Sequence, residues 1–250
     1  MIETKGSPER RAVARQLLAM RRLERLGECV DDRGGGDYIH CFKGLRRFLD
    51  YTRAVPGSNL VLDIGAGITR GVNDLSKSEK GRNLKFMATG LVSKIRGQGD
   101  NRYKRVDNSL GSANLRLTSG EILRGIADNS VAGVMALFSI AYSACPEMVI
   151  DRINQVLVPG GVIKAVVGSQ NLKISRDDYY DRTGLQTADR FVAQLDSLGY
   201  EIALSDDSNH SIILAIKPGW FRPHAQRLMD ADLSIGRFRR VATDALADRT

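Results

Sequence analysis

From residue 59 onward, the chain alternates short apolar segments with segments of helical periodicity. The predicted strands of this region are 60–64, 84–89, 115–117, 131–138 and 162–167. A predicted helix over 146–157 ends at the Pro-Gly-Gly of 159–161, and the uninterrupted apolar run at 131–138 is typical of a buried central strand. This alternation indicates a parallel sheet whose strands are joined by crossover helices. The sequence therefore predicts an α/β core.

The end of this region has a different pattern. A polar stretch over 168–184 has no periodicity and predicts a long loop, after which Thr187 is a candidate cap for a helix that runs to residue 198. Two further predicted strands, 201–204 and 211–216, follow each other closely enough to form a hairpin. The two strands of such a hairpin run antiparallel at the end of the sheet.

The two ends of the chain lie outside the alternation. Ser7, Pro8 and an apolar spacing of three and four predict a first helix that ends at Gly27. The glycine-rich stretch 31–37 predicts a flexible break, and the apolar residues within 42–49 predict a second short helix. A length of 250 residues fits one elaborated domain. We expect an N-terminal helical cap or lid at 1–55, the α/β core at 56–218 and a basic C-terminal tail at 219–250.

Cysteines and apolar runs limit the class of protein. Three cysteines without a CxxC pair predict neither a disulfide framework nor a zinc cluster, and they fit a reducing compartment. The charged stretch 1–15 lacks the apolar core of a secretory signal, and the longest apolar run, 131–145, is too short to cross a membrane. We therefore expect a cytoplasmic protein with no metal site and no membrane partner.

A glycine turn follows the first predicted strand. Residues 61–71 read Val-Leu-Asp-Ile-Gly-Ala-Gly-Ile-Thr-Arg-Gly, an apolar strand that runs into the turn and then into a helix. Glycines in such a turn let backbone N–H groups approach a ligand closely, and the positive end of the following helix favours negative charge. A tight strand-to-helix connection without a ligand is the alternative explanation of the same residues.

The turn and the segments after it resemble the class I S-adenosylmethionine-dependent methyltransferase superfamily, in particular its type 11 members. The resemblance rests on Asp63-Ile64-Gly65-Ala66-Gly67, Asp128-Asn129-Ser130, Ile140-Ala141-Tyr142 and Leu157-Val158-Pro159-Gly160-Gly161. These motifs follow one another in the order that the superfamily has, over about residues 60–218. The resemblance implies a three-layer Rossmann-like fold with a mostly parallel, seven-stranded sheet whose last strand is reversed. It also implies S-adenosyl-L-methionine as the cofactor.

The resemblance implies where the two ends of the cofactor bind. The methionine part is expected to lie on Asp63, Gly65, Ala66 and Gly67. Family members usually carry an acidic residue at the end of the second strand, where it accepts both ribose hydroxyls. This chain has Gly90 there, without a carboxylate, and Ser93 is the candidate substitute.

Four other residues are candidate cofactor contacts. The resemblance places Gly120 and Glu121 near the adenine amino group. Phe138 and Ser139 follow the central strand at its carboxyl end, where open α/β sheets bind ligands. Core packing is the alternative role for Phe138. The position before that strand, where the family often has Phe-Asp, holds Val131 and Ala132.

Two residues are candidates for the chemistry. Methyl transfer from a sulfonium is an in-line displacement on an activated carbon, so alignment of the nucleophile with the methyl group supplies much of the acceleration. Tyr142, just after the central strand, is the leading candidate in the acceptor pocket. His40 is a candidate proton acceptor on a lid over the site, with a solvated position as its alternative. The expected acceptor is a small molecule.

The positive charge of the chain is concentrated in a few segments. The formal net charge is +8, from 37 Lys and Arg against 29 Asp and Glu. Residues 77–105 alone contain nine basic and two acidic residues. Such a segment suits RNA phosphates or a phosphorylated substrate, so an RNA methyltransferase is an alternative function. A solvated basic surface is the alternative without a ligand.

Two further classes of protein fit parts of the sequence. A nicotinamide-dependent reductase fits the spacing of Gly65, Gly67 and Gly71, although the usual dinucleotide fingerprint has a glycine where Arg70 stands. A methyltransferase-fold protein without catalytic activity fits the missing carboxylate after the second strand. Binding of S-adenosylmethionine separates these classes.

Overall fold

The structure is a computed structural model. It describes residues 14, 18, 35–67, 69–91, 94–96, 103–105, 114–120, 122–140, 145–168, 184–207, 210–219, 223, 226–227, 229–230 and 239–240. The predicted first helix falls almost wholly outside these residues, although Ala14 and Leu18 are helical. The predicted loop at 168–184 also lies outside them, except at its two ends.

The main sheet has the predicted alternation. Its strands are β1 (Leu60–Asp63), β2 (Lys85–Gly90), β5 (Asn114–Leu117), β6 (Val131–Leu137), β7 (Leu157–Gly168), β8 (Glu201–Asp207) and β9 (His210–Ile216). They lie in the order β5-β2-β1-β6-β7-β9-β8. The first five of these are parallel, and β9 runs antiparallel to both β7 and β8. The predicted mostly parallel sheet and its reversed last strand are therefore confirmed, whereas the count differs, because the sheet has eight strands and not seven.

Helices cover both faces of the sheet. They are α1 (Gly35–Phe42), α2 (Leu45–Ala54), α3 (Arg70–Lys77), α4 (Pro146–Val156) and α5 (Gly184–Ser197). One face is buried by apolar side chains of α1, α2 and α3, and the other by those of α4 and α5. The result is the predicted three-layer α/β architecture. Both faces of the central strands are covered, which explains why β6 is apolar throughout.

The N-terminal part of the described chain differs from the predicted pattern. The predicted flexible break over 31–37 is wrong from Gly35 onward, because α1 begins at that residue. The Gly35 backbone N–H donates to Asp74 Oδ2 at 2.8 Å, and a Cβ atom on Gly35 would lie 2.8 Å from the Asp74 Cβ atom. Close packing on α3 thus outweighs the low helix propensity of glycine. Helix α2 lies against β7, where the Tyr51 hydroxyl donates to the Gly160 carbonyl at 2.9 Å.

A hairpin that the sequence analysis does not predict lies between β2 and β5. Its strands are β3 (Lys94–Arg96) and β4 (Tyr103–Arg105), and they pair antiparallel as a separate two-stranded sheet. The hairpin lies between two parallel strands of the main sheet in the chain, a position that is usually occupied by a crossover helix. Neither strand packs extensively against another helix or strand of the described chain.

The C-terminal region contributes to the fold. Met229 is fully buried in the layer that contains α1 and α2. Strand β10 (Arg239–Arg240) pairs antiparallel with β8 and adds an eighth, two-residue strand to the sheet. Among the residues that the structure describes, no helix has the length and hydropathy needed to cross a membrane.

Candidate functional site

The glycine turn lies between the carboxyl ends of β1 and β2. Gly65 and Gly67 have positive φ angles of 68° and 55°, a conformation that favours glycine. The Gly65 N–H donates to Thr89 Oγ1 at 3.1 Å, and the Ala66 N–H donates to the Thr89 carbonyl at 3.0 Å. Thr89 therefore holds the turn against the end of β2.

The end of β6 approaches the same turn. A Cβ atom on Gly65 would lie 2.4 Å from the Ser139 Cβ atom, closer than two such atoms come in proteins. Only glycine fits there, both for this contact and for its φ angle. Phe138 has a positive φ of 59° and is half-buried against the layer of α1 and α2. Phe138 thus packs partly against the core, which is the alternative role that the sequence analysis gives it, and its cofactor contact stays a prediction.

Asp63 is the last residue of β1 and is completely buried. Its Oδ2 atom accepts a hydrogen bond of 2.6 Å from the Tyr38 hydroxyl. Burial raises the pKa of this carboxyl to about 7, although the Tyr38 hydrogen bond lowers it. The other carboxyl oxygen of Asp63, Oδ1, has no hydrogen-bond partner among the described residues.

Helix α1 covers the start of α3 beside this carboxyl. The Tyr38 ring occupies the space above Gly71, where a Cβ atom would lie 2.2 Å from Cε2 of the ring. With the bond from Gly35 to Asp74, this contact fixes α1 to α3 at two points. The Tyr38 hydroxyl is consequently held at Asp63 by packing as well as by its hydrogen bond.

The segment after β5 forms the third side of the site. The Thr118 N–H donates to the Gly90 carbonyl at 2.9 Å, which ties this segment to the end of β2. A Cβ atom on Gly120 would lie 3.1 Å from Ile64 Cγ2. Gly120 therefore lies next to the start of the glycine turn. The hydroxyl of the adjacent Ser119 is buried and has no partner in the described part of the chain.

The structure brings together all eight of the predicted cofactor residues that it describes. Those that meet around the turn are Asp63, Gly65, Ala66, Gly67, Gly90, Gly120, Phe138 and Ser139. Ser93, Glu121 and Tyr142 lie outside the described residues. His40 is exposed on α1, and the residue of that helix that contacts the site is Tyr38.

Sequence reasoning missed Tyr38, Thr89 and Ser119. The spacing of Tyr38 and Phe42 is the available signal for the first, since residues four apart share one face of a helix. Their rings meet edge to face with centroids 5.6 Å apart. No comparable pattern marks Thr89 or Ser119, because only the pairing of β2 with β1 and β5 brings them to the turn.

No protein-family model and no curated protein sequence matches this chain. Solved structures do match it. A protein from Galdieria sulphuraria, assigned as a sarcosine dimethylglycine methyltransferase, has a TM-score of 0.54 at 13% identity over 73% of this chain and 87% of that one. A methyltransferase from Aquifex aeolicus has a TM-score of 0.48 at 14% identity over 81% and 97%. The (4+2)-cyclase SpnF has a TM-score of 0.49 at 16% identity over 85% and 96%.

The strand order separates this fold from the dinucleotide-binding one. A dinucleotide-binding sheet has the order 3-2-1-4-5-6, whereas here β9 is inserted antiparallel between β7 and β8. The reversed strand is the one that the resemblance implies, and the Galdieria sulphuraria structure, named as a methyltransferase, shares the fold at a TM-score of 0.54. The chain therefore has the Rossmann-like fold of the class I S-adenosylmethionine-dependent methyltransferases.

Proposed function

We propose that this protein binds S-adenosylmethionine and transfers its methyl group. The observation that carries the proposal is a set of buried polar atoms around the glycine turn that have no partner among the described residues. They are Asp63 Oδ1, Ser119 Oγ and Ser139 Oγ. Buried polar atoms in folded proteins are almost always hydrogen-bonded. Three such atoms beside one turn therefore favour a polar ligand at this place.

The residues of the turn fit the methionine end of the cofactor. Asp63 offers a carboxyl oxygen to an ammonium group, and the bare backbone of Gly65 and Gly67 leaves room for a ligand at the start of α3. The ribose end fits less well, because β2 ends at Gly90 and Leu91 without a carboxylate. The proposed binding therefore depends chiefly on the turn.

When bound, the cofactor supplies a methyl group on a sulfonium, which needs no further activation. The chain's own residues then position it. Asp63 holds the amino group of the ligand, and its remaining oxygen stays fixed by Tyr38. Helix α1 covers one side of the turn and excludes water from Asp63, which is fully buried. Alignment within such a site supplies much of the rate.

The proposed acceptor is a small molecule. The packing of α1 over the start of α3 supports an enclosed site, and the Galdieria sulphuraria protein is named for sarcosine and dimethylglycine, which are small molecules. Tyr142 and His40 stay as candidate residues of the acceptor side. RNA is the second candidate acceptor, favoured by the basic residues of the hairpin β3/β4.

Calorimetric titration with S-adenosylmethionine and with its demethylated product tests the proposal. We expect saturable binding of both, and loss of at least tenfold in affinity for Gly65→Ala, because the new Cβ atom would meet Ser139. Gly57→Ala is the matched control. Gly57 also has a positive φ, of 85°, but it has open space around its Cβ position and precedes β1 at the other edge of the sheet.

Two results would contradict the proposal. If the unaltered protein binds neither compound, the chain is a methyltransferase-fold protein without that cofactor. If Gly65→Ala and Gly57→Ala bind equally well, with circular dichroism spectra like that of the parent, the ligand site lies elsewhere. Binding with the expected difference leads to a methylation assay against small-molecule and RNA acceptors.

A further inference from the structure

The two carboxyl oxygens of the completely buried Asp63 have different surroundings. Oδ2 accepts the 2.6 Å hydrogen bond from Tyr38, whereas Oδ1 has no partner in the described part of the chain. A single hydrogen bond is little support for a buried carboxylate, because a charge in an apolar interior is costly unless it is paired. Burial accordingly raises the pKa of this carboxyl to about 7, so the unliganded site carries a proton below that pH.

Tyr38 is the ionisable group in direct contact with Asp63 in the part of the chain that the structure describes. Along the sheet, Asp63 pairs with Met135 of β6, and Met135 pairs with Lys164 of β7. Lys164 is thus two strand spacings away, with about 10 Å between the Cα atoms. Cys41 of α1 is half-buried. The other ionisable side chains of α1 and α3 are exposed, and they are Asp37, His40, Arg70, Asp74 and Lys77.

The glycine turn beside this carboxyl is open to a ligand. Gly65, two residues after Asp63, is exposed although its neighbours in the fold are buried. It lies against Ser139, whose buried hydroxyl oxygen also has no partner among the described residues. A ligand on Gly65 therefore meets bare backbone with two unpartnered polar atoms close by.

Packing that does not involve Asp63 holds the Tyr38 ring. The ring occupies the space above Gly71, meets the Phe42 ring edge to face at 5.6 Å and is 3% exposed. The hydroxyl is consequently presented to Oδ2 by a fixed ring. Removal of the hydroxyl alone should leave this packing in place.

We propose that Tyr38 is a positioning residue that links ligand binding to pH: Asp63 releases its proton to solvent when it takes up a ligand's ammonium group, and Tyr38 stabilises the carboxylate that forms. This role rests on the proposed function, because the ammonium group is the one that S-adenosylmethionine carries. One positive charge enters the site and one proton leaves it, so the site stays neutral. Hydrogen bonds to ionised acceptors are about twice as strong as neutral ones, so the Tyr38 hydroxyl favours the ionised, binding-competent carboxyl.

Calorimetric titration with the demethylated product, S-adenosylhomocysteine, tests this link between about pH 5.5 and 7. Over that range the ligand's amino group stays protonated, because α-amino groups titrate near pH 8. We expect the affinity to rise about tenfold from the lowest to the highest pH. Repeating the titration in buffers of different ionisation enthalpy should show nearly one proton released for each ligand bound at about pH 6. Asp63→Asn should show neither the rise nor the release.

Tyr38→Phe tests the positioning role. Without the hydroxyl, Asp63 should keep its proton to higher pH, so we expect affinity for S-adenosylhomocysteine to fall about five- to tenfold across the same range. Methylthioadenosine, which has the nucleoside and the sulfur but no amino group, serves as the comparison ligand. Its affinity should stay within twofold of the parent value in Tyr38→Phe and should not change with pH.

Tyr51→Phe is the matched control. It removes a hydroxyl from another buried tyrosine, which donates to the Gly160 carbonyl at 2.9 Å near the start of β7. We expect this variant to keep the pH profile of the parent for both ligands, because Gly160 lies at the opposite edge of the sheet from the glycine turn.

Several outcomes would overturn the proposal. If the parent binds S-adenosylhomocysteine without a change in affinity or proton release over this range, the link to pH is absent although the proposed cofactor binding stands. Identical profiles for Tyr38→Phe and Tyr51→Phe would exclude the role of Tyr38. The same pH dependence with methylthioadenosine would assign the proton to another group. If the parent binds none of these compounds, the proposed function is overturned and this role with it.

Discussion

The Tyr38 hydroxyl donates a hydrogen bond of 2.6 Å to Asp63 Oδ2 and so joins helix α1 to the end of β1. Both side chains are buried, at 3% and 0% exposure. A carboxyl in that position is costly to ionise, and the phenol offsets part of this cost. The pair therefore makes the position of α1 sensitive to the charge on Asp63.

The pH dependence of stability tests the burial of Asp63. Its pKa rises from 3.8 to about 7 on folding, so between these values the folded chain binds a proton that the unfolded chain has released. Stability conferred by this group then falls as pH rises from about 4 to 7, by at most about 1.4 kcal/mol for each pH unit, and levels off above. Urea unfolding at several pH values measures the free energy of unfolding of the parent and of Asp63→Asn. We expect this decrease with pH in the parent alone. Parallel curves would contradict the shifted pKa.

Tyr38→Phe tests the hydrogen bond separately from the packing of the ring. We expect a loss of about 1–3 kcal/mol in the free energy of unfolding at pH 8, where Asp63 is largely ionised, and a smaller loss at pH 5, where it is protonated. The control is His40→Ala on the same helix, whose exposed side chain should change stability by less than about 0.5 kcal/mol. An equal loss at both pH values would argue against a bond to the charged carboxyl.

The contact between Tyr38 and Gly71 predicts that the effect of Gly71→Ala on the free energy of unfolding changes sign when the Tyr38 ring is removed. Gly71→Ala should destabilise the protein by about 1–3 kcal/mol, because its Cβ atom would lie 2.2 Å from the ring. In a Tyr38→Ala background that space is empty, and alanine should then be neutral or stabilising by up to about 1 kcal/mol within α3. A double-mutant cycle in urea measures the coupling energy. Additive effects would show that α1 does not pack on Gly71.

Arg152 of α4 fixes the segment that carries Ser119. Its guanidinium donates to the carbonyls of Ile122 and Ile126 at 3.0 and 3.1 Å, and to Asp128 Oδ1 at 2.9 Å. Thermal unfolding of Arg152→Met should show a loss of about 1–3 kcal/mol, because two carbonyls lose a charged donor. Asp128→Asn should cost less than about 1 kcal/mol, since that side chain is 65% exposed. Equal losses would mean that the ion pair dominates over the carbonyl contacts.

The core of the fold was predictable because burial imposes a pattern on the sequence. Strand β6 is covered on both faces, so its run of apolar residues is continuous and visible. The strand and helix alternation follows from the same requirement. Helix α1 was not predicted because its glycines are poor helix formers, and packing on Asp74 and on the start of α3 compensates for them. The hairpin β3/β4 was not predicted because its two strands contain many charged residues and show no alternation of apolar and polar residues.

The candidate site was predictable in part. Asp63 and the glycines of the turn stand together in the sequence, where a strand, a tight turn and a helix leave a local signature. Ser119 and Ser139 come from segments separated by many residues, and Tyr38 comes from the N-terminal helix. Their meeting at one turn depends on the pairing of strands and the packing of layers, which no local pattern records.

By itself, the sequence determined the α/β class, the positions of most strands and the location of the glycine turn, because each depends on a local or periodic pattern of burial. The tertiary structure alone decided that β9 is inserted between β7 and β8, and that Tyr38 rather than His40 contacts Asp63. These features arise from contacts between distant segments. Their energies depend on which surfaces meet, and a linear pattern of residue types does not contain that information.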